Sequence, residues 1–352
     1  DRGQEVFGLF GTFSPDVKGS LREYVATGGV KKILCTYDKV KYLHEFINAQ
    51  DYQILVDEYH QLLKAYSYRS KAVCGVLENF RRYKSFCFLS ATPISPDFTP
   101  SVLEGIEQID AVWESVDMLI VSLEQTNNPY VKAANIINSY KVNGYVEVEG
   151  HKSYEAFFFI NSVTDIASIL KHCSLTDEEV KIVCADDEAN RAKLNGYTIS
   201  NSRAENRKFT FITSKSFEGA DYYSATGLCY VVSNSNNRNT LLDISTDIYQ
   251  IAGRIRTESN PFRNTLVHIF NTTGKRRLNL EISYDEYKQV VEEEIEEAKA
   301  ILEVANTKAR KMAEKMIKSE YITRDDDGVY QLNDILIKLD LMNYKIAGRI
   351  RT

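Results

Sequence analysis

Short, almost uninterrupted apolar runs alternate with helical patterns along most of this chain, and that alternation restricts the fold more than any other feature. "KKILCTY" (31–37), "YQILVDEYH" (52–60) and "KSFCFLSATP" (84–93) read as strands, while "DKVKYLHEFINA" (38–49) and "SKAVCGVLENFRRY" (70–83) carry helical spacing. Strands apolar on successive residues are covered on both faces, as in parallel sheets. Strands alternating with helices therefore predict a parallel sheet between helical layers. Ligands gather at the carboxyl ends of such strands.

The pattern pauses at "NNP" (127–129), passes through a helix-like stretch (130–141) and then restarts. "EAFFFINS" (155–162), "VKIVCAD" (180–186), "KFTFITS" (208–214), "GLCYVVSN" (227–234) and "NTLVHIFN" (264–271) read as strands. "VTDIASILKHC" (163–173) and "TDIYQIAGRI" (246–255) read as helices. From about residue 279 the alternation stops. A segment rich in Ala, Glu and Lys, without Gly or Pro, predicts a long helix or helical pair, and its acidic run (Glu292, Glu293, Glu294, Glu296, Glu297) predicts a solvated face. "RDDDG" (324–328) reads as a turn before a small terminal unit. The expected fold class is α/β. The expected organisation is a partial first domain at 1–126, a linker at 127–150, a second domain at 151–278 and a helical C-terminal extension at 279–352.

A net charge of −6 does not favour polyanions, so any contact with nucleic acid has to come from local Lys and Arg. The six cysteines show no CxxC spacing and predict buried, reduced thiols in a cytoplasmic protein. No stretch approaches a membrane span, and the N-terminus does not read as a signal peptide.

The strongest local signal is "ILVDEYH", where an apolar strand delivers Asp57 and Glu58 to the ligand-binding edge of a sheet. A Mg-nucleotide site needs this pair: one carboxylate holds the magnesium, usually through water, and the next orients the attacking water. "FLSATP" follows at another strand end, then "AFFFINSV", "TSKSFEGADYY" and "YQIAGRIR" in the second domain. Each is weak alone, but together, in this order and at these edges, they form a constellation.

That constellation resembles the core of superfamily 2 helicases of the DExH type, which carry two RecA-like domains, over roughly residues 30–272. "DEYH" is similar to motif II, "SAT" to motif III, "FINS" to motif IV, "FEGAD" to motif V and "QIAGR" to motif VI, with "TYDKV" (36–40) similar to the Ib region. The resemblance implies two RecA-like parallel-sheet domains, the first incomplete, and ATP with Mg²⁺ in a cleft. It implies that Asp57 coordinates Mg²⁺ and that Glu58 activates water. His60, Ser90 and Thr92 then couple the nucleotide state to the domain interface. Gly219, Asp221 and Gly253 border the nucleotide, while Gln250 and Arg254 face the γ-phosphate. Thr36, Asn161 and Thr213 contact the backbone of DNA or RNA. The C-terminal helices offer a surface for a protein partner.

Two departures stand out. The family's motif VI has a second arginine three residues after the first. Here that position is Thr257, and Arg256 comes one residue early. On a helix that turns Arg256 by about 100°, which leaves Arg254 as the expected finger. The second departure is that no GxxxxGK[ST] occurs anywhere in the sequence. The family places that loop ahead of everything seen here, so the expectation is a fragment cut before the loop that hydrolyses ATP poorly, drawn from a longer helicase or translocase. The alternatives are an ATPase switch that does not unwind, and a non-catalytic nucleic-acid-binding remnant. "IAGRIRT" recurs at 346–352, with Lys345 where Gln250 stands in the first copy. The first copy is expected to function and the second is not.

Overall fold

The computed structural model describes residues 6–112, 114, 118–217, 219–244, 246–272, 282–305, 317, 319–325 and 327–349. The chain divides into two compact units, Asp1–Gln108 with Asp285–Met342, and Ile109–Tyr284 with Asn343–Thr352.

The first unit runs β1 (Val6–Leu9), α1 (Pro15–Ala26), β2 (Lys32–Cys35), α2 (Tyr37–Leu43), β3 (Gln53–Val56), α3 (Gln61–Lys64), α4 (Tyr66–Leu77) and β4 (Ser85–Phe88). Ser14 caps α1 by accepting the Val17 N–H, and Pro15 supplies the preset φ of a first helical turn. β1 pairs with β2 and β3 with β4, both in parallel, as two separate ladders. Leu9, Leu21, Leu43, Ile47 and Tyr83 form a core on which Ile33 and Ile54 also pack. The expectation that both strand faces are covered fails in this unit. Leu34 and Leu55 are 59% and 63% exposed, and in β3 the alternate residues Ile54 and Val56 carry the burial.

The second unit meets the expectation. In chain order it contains β5 (Ile120–Gln125), α5 (Pro129–Asn143), β6 (Val146–Val148), β7 (His151–Ser153), β8 (Glu155–Phe159), α6 (Val163–His172), β9 (Val180–Val183), α7 (Glu188–Leu194), β10 (Phe209–Ile212), β11 (Gly227–Ser233), α8 (Asp247–Ala252) and β12 (Thr265–Phe270). Six strands form one parallel sheet in the order β5-β12-β11-β8-β10-β9. Every residue of β10 and β11 is buried. Successive phenylalanines of β8 point to opposite faces, as strand geometry requires. Phe158 packs with Phe211 and Tyr230 and with Ala133, Ile137 and Tyr140 of α5 and Ile166 and Leu170 of α6. Phe157 and Phe159 pack on the other face with Ile248 and Ile251 of α8.

Three boundaries differ from the sequence reading. Residues 120–125, placed in the first domain, form the edge strand β5 that pairs with β12 of the second sheet. The segment expected as a linker at 127–150 holds α5 and the β6–β7 hairpin, and α5 packs into the second unit's core. The expected C-terminal extension is not wholly helical. It contains α9 (Tyr284–Ala305), an antiparallel hairpin of β13 (Ile322–Arg324) and β14 (Tyr330–Leu332), and α10 (Asp334–Arg349), and most of it groups with the first unit. Along α9, Val291, Ala298 and Ala305 are buried at a seven-residue repeat while the glutamates of the acidic run face water.

Of the cysteines, Cys173, Cys184 and Cys229 are buried, Cys35 and Cys74 are half-buried and Cys87 is exposed, so the uniformly buried set expected from sequence is only partly present. Among the described residues no helix is long and apolar enough to cross a membrane.

Candidate functional site

β3 ends at Val56, and the chain turns sharply over 57–60 before α3. Asp57 is exposed at the carboxyl end of the strand, and its Oδ1 accepts the Glu58 N–H at 3.0 Å. Glu58 sits at φ 50°, in the left-handed region. For a residue with a side chain that conformation costs about 1–3 kcal/mol, and it persists only where neighbours hold it. The neighbours are identifiable. Tyr59 N–H donates to Leu89 O at 3.0 Å and Gln61 N–H donates to Glu58 O at 2.9 Å. The Tyr37 hydroxyl, from the first residue of α2, donates to Asp57 O and Glu58 O.

The parallel register of β3 and β4 pairs Val56 with Phe88, so the turns that follow the two strands lie side by side. His60, buried to 2% exposure, places Nδ1 2.7 Å from Ser90 Oγ and 3.3 Å from Glu58 Oε2. Ser90 Oγ also accepts the Thr92 N–H at 3.0 Å. Asp57, Glu58, His60, Ser90 and Thr92, singled out from two separate stretches of sequence, thus meet at the carboxyl edge of β3 and β4, with Asp57 bonded to Glu58, and His60 and Thr92 both bonded to Ser90. Thr36 is the N-cap residue of α2, immediately before Tyr37. Tyr37 itself was missed by sequence reasoning. It lies inside "TYDKV", but nothing local signals that its hydroxyl reaches the acidic turn.

No group of three or more His, Cys, Asp or Glu side chains among the described residues converges on a metal-sized position. The exposed Asp57 carboxylate suits an ion that keeps most of its water and arrives with phosphates, as Mg²⁺ does.

In the second unit Gly219 adopts φ 70°, a conformation that favours glycine. Motif-like residues 250–256 meet residues 219–222, but not as the sequence reading held. α8 stops at Ala252, and Gly253 follows it. Beyond it the chain is extended enough to bridge to Tyr222, whose N–H donates to Arg254 O at 2.8 Å and whose carbonyl accepts the Arg256 N–H at 2.9 Å. The helical-register argument against Arg256 therefore does not apply, because these residues are off the helix. Arg254 is buried at 8% exposure. Its Nε donates to Gln250 O at 2.7 Å, Nη1 to Ala220 O and Nη2 to Gln250 Oε1, both at 3.4 Å. Arg256 is the exposed arginine, and its Nε donates to Asp221 Oδ1 at 2.8 Å.

The residues expected at nucleic acid in this unit hold loops together. Asn161 accepts the Ser214 N–H at 3.1 Å and donates to Asn239 O at 2.9 Å. It thereby ties the ends of β8 and β10 to the polar loop after β11. Thr213 is buried, and its hydroxyl lies 3.4 Å from the Val183 carbonyl. A second feature missed from sequence is Lys181 in β9. It is 1% exposed, with Nζ donating to Ser202 O at 2.8 Å and Asn206 Oδ1 at 3.2 Å, and burial lowers its pKa. In the second IAGRIRT copy, residues 346–349 end α10, and the Arg349 side chain and residues 350–352 lie outside the described residues.

No family model matches the sequence, and no curated protein matches it. The chain is similar to several solved structures, two of which follow. One is the Mycobacterium smegmatis helicase Lhr bound to ssDNA and AMP-PNP, at 12% identity and TM-score 0.42, covering 76% of this chain and 34% of that one. The other is S. cerevisiae Dbp5 bound to RNA and ADP BeF3, at 12% identity and TM-score 0.45, covering 76% of this chain and 63% of that one. The chain thus spans about a third of the first and under two thirds of the second. Neither likeness assigns a function to it.

Proposed function

We propose that this chain is the core of a nucleic-acid-dependent ATPase of the helicase or translocase kind, with two RecA-like units. The observation that carries the reading is the junction at His60, whose Nδ1 meets both Glu58 and Ser90. Such a junction lets the state of an acidic hydrolytic turn be sensed at a second strand end. In this reading Glu58 orients the attacking water, and Asp57 is the residue that would hold Mg²⁺. Bound Mg²⁺ would supply charge neutralisation at the phosphates. Ser90 and Thr92 relay the state of the turn. Gln250 and Arg254 brace the segment that carries Arg256, and Arg256 takes the phosphate-facing role expected of Arg254. Its support is its exposure and its exchangeable partner Asp221. Thr36 in the first unit and Asn161 in the second each contact nucleic acid, which such a core holds by its backbone.

The absence of GxxxxGK[ST] from these 352 residues favours a second reading, in which this chain binds nucleic acid and does not hydrolyse ATP by itself. Phosphate release, measured with and without single-stranded DNA or RNA, separates the two. The first reading expects slow release that single strands stimulate and that Glu58→Gln abolishes. The second expects binding of the strands and no Glu58-dependent release. Failure to bind either strand contradicts both.

A further inference from the structure

We propose that Tyr37 is a positioning residue for the Asp57–Glu58 turn, and the link through which a single strand lying at Thr36 tightens those carboxylates. This rests on the nucleic-acid reading given above.

The argument starts from strain. Glu58 holds φ 50° although glycine is the residue that adopts such angles freely. Relaxing it would rotate the peptide groups on either side, and with them the carbonyls of Asp57 and Glu58. Both carbonyls accept from the Tyr37 hydroxyl, the second at 3.2 Å. Two of the other bonds at this turn lie within it, Glu58 N–H to Asp57 Oδ1 and Gln61 N–H to Glu58 O, and a third, from Tyr59 N–H, reaches Leu89 beyond β4. Tyr37 adds a hold from α2.

Tyr37 is also well made for transmission. It opens α2 directly after the N-cap Thr36, so a ligand that shifts the start of the helix carries the ring with it. The ring is rigid, and its single hydroxyl proton cannot serve two carbonyls fully at once. A small displacement along α2 therefore exchanges one carbonyl for the other and re-aims the Glu58 carboxylate.

Amide hydrogen exchange of the full chain tests the proposal without requiring ATP turnover. The 57–61 turn is followed with and without oligothymidylate, and separately with oligouridylate. In the wild type, strand binding is expected to slow exchange in this turn by about tenfold. Tyr37→Phe, which removes only the hydroxyl, is expected to bind the strand within about twofold of wild type and to show no slowing, with exchange in β8 and β11 unchanged as the check on folding. Slowing in Tyr37→Phe equal to that of the wild type overturns the proposal. So does a wild type that binds the strand without slowing, a result that leaves the nucleic-acid reading standing and needs no variant. Absence of binding to either strand overturns the nucleic-acid reading and this inference with it.

Discussion

His60 Nδ1 lies 2.7 Å from Ser90 Oγ, a part-buried side-chain hydrogen bond that joins the turn after β3 to the turn after β4. Ser90 Oγ also accepts the Thr92 N–H, so one oxygen orders three residues. Ser90→Ala removes that shared oxygen and is expected to lower stability by about 1–3 kcal/mol in urea denaturation. Ser90→Thr, which keeps the oxygen, should recover most of the loss. Equal midpoints for the alanine variant and the wild type would show that the bond does not hold the turns.

The two arginines of 253–256 should separate cleanly by stability. Arg254 is buried with donors aimed at Gln250 and Ala220, so Arg254→Ala is expected to cost ~3 kcal/mol. Arg256 makes an exposed ion pair with Asp221, so Arg256→Ala should cost under ~1 kcal/mol. Thermal melts of both variants check the order, and a reversed order would move the bracing role to Arg256.

Much of the second unit was legible from sequence because its strands are buried on both faces. β8 and β11 read as unbroken apolar runs, which few other structures need. The turn after β3 was legible because the apolar run stops at buried Val56 and two acids follow it, the first of them exposed. What escaped depends on distant pairing. β5 sits ahead of the Asn127–Pro129 break and looks local to the first domain, yet its ladder partner is β12. In the first unit apolar strands suggested two covered faces, while Leu34 and Leu55 remain exposed. The helix read through residue 255 was too long, since α8 ends at Ala252 and hands over to Gly253. Tyr37 was invisible because α2 and the acidic turn meet only in three dimensions.

Gly227 opens β11 against a wall of side chains. A Cβ there would strike the Phe157 ring and lie 2.8 Å from Ser224 Oγ, which already accepts the Gly227 N–H. Gly227→Ala is expected to destabilise by about 1–3 kcal/mol through overpacking. Gly253→Ala meets only ordinary contacts, the nearest being Arg256 Nη1 at 3.7 Å, and should change the melting temperature little. Similar losses for the two would contradict this packing account.

His268, on β12, is buried, and burial pushes its pKa down from 6.5 to about 4. Between those values the unfolded chain binds a proton that the folded chain refuses. The stability linked to neutral His268 is therefore complete above pH 6.5 and drains away as pH falls toward 4. At pH 5 the loss is about 2 kcal/mol. His268→Gln cannot titrate, so its urea midpoint should fall less between pH 7 and pH 5 than that of the wild type. Parallel pH profiles for the two proteins would remove His268 as the cause.

The central claim is that this core engages nucleic acid by its backbone. Fluorescence anisotropy of labelled single-stranded DNA and RNA with the 352-residue chain, across a salt series, tests it most directly. The account predicts saturable binding that is indifferent to base sequence and weakens linearly in log Kd against log salt, as phosphate contacts require. Absence of binding to either strand at low salt, or binding unaffected by salt, would contradict it.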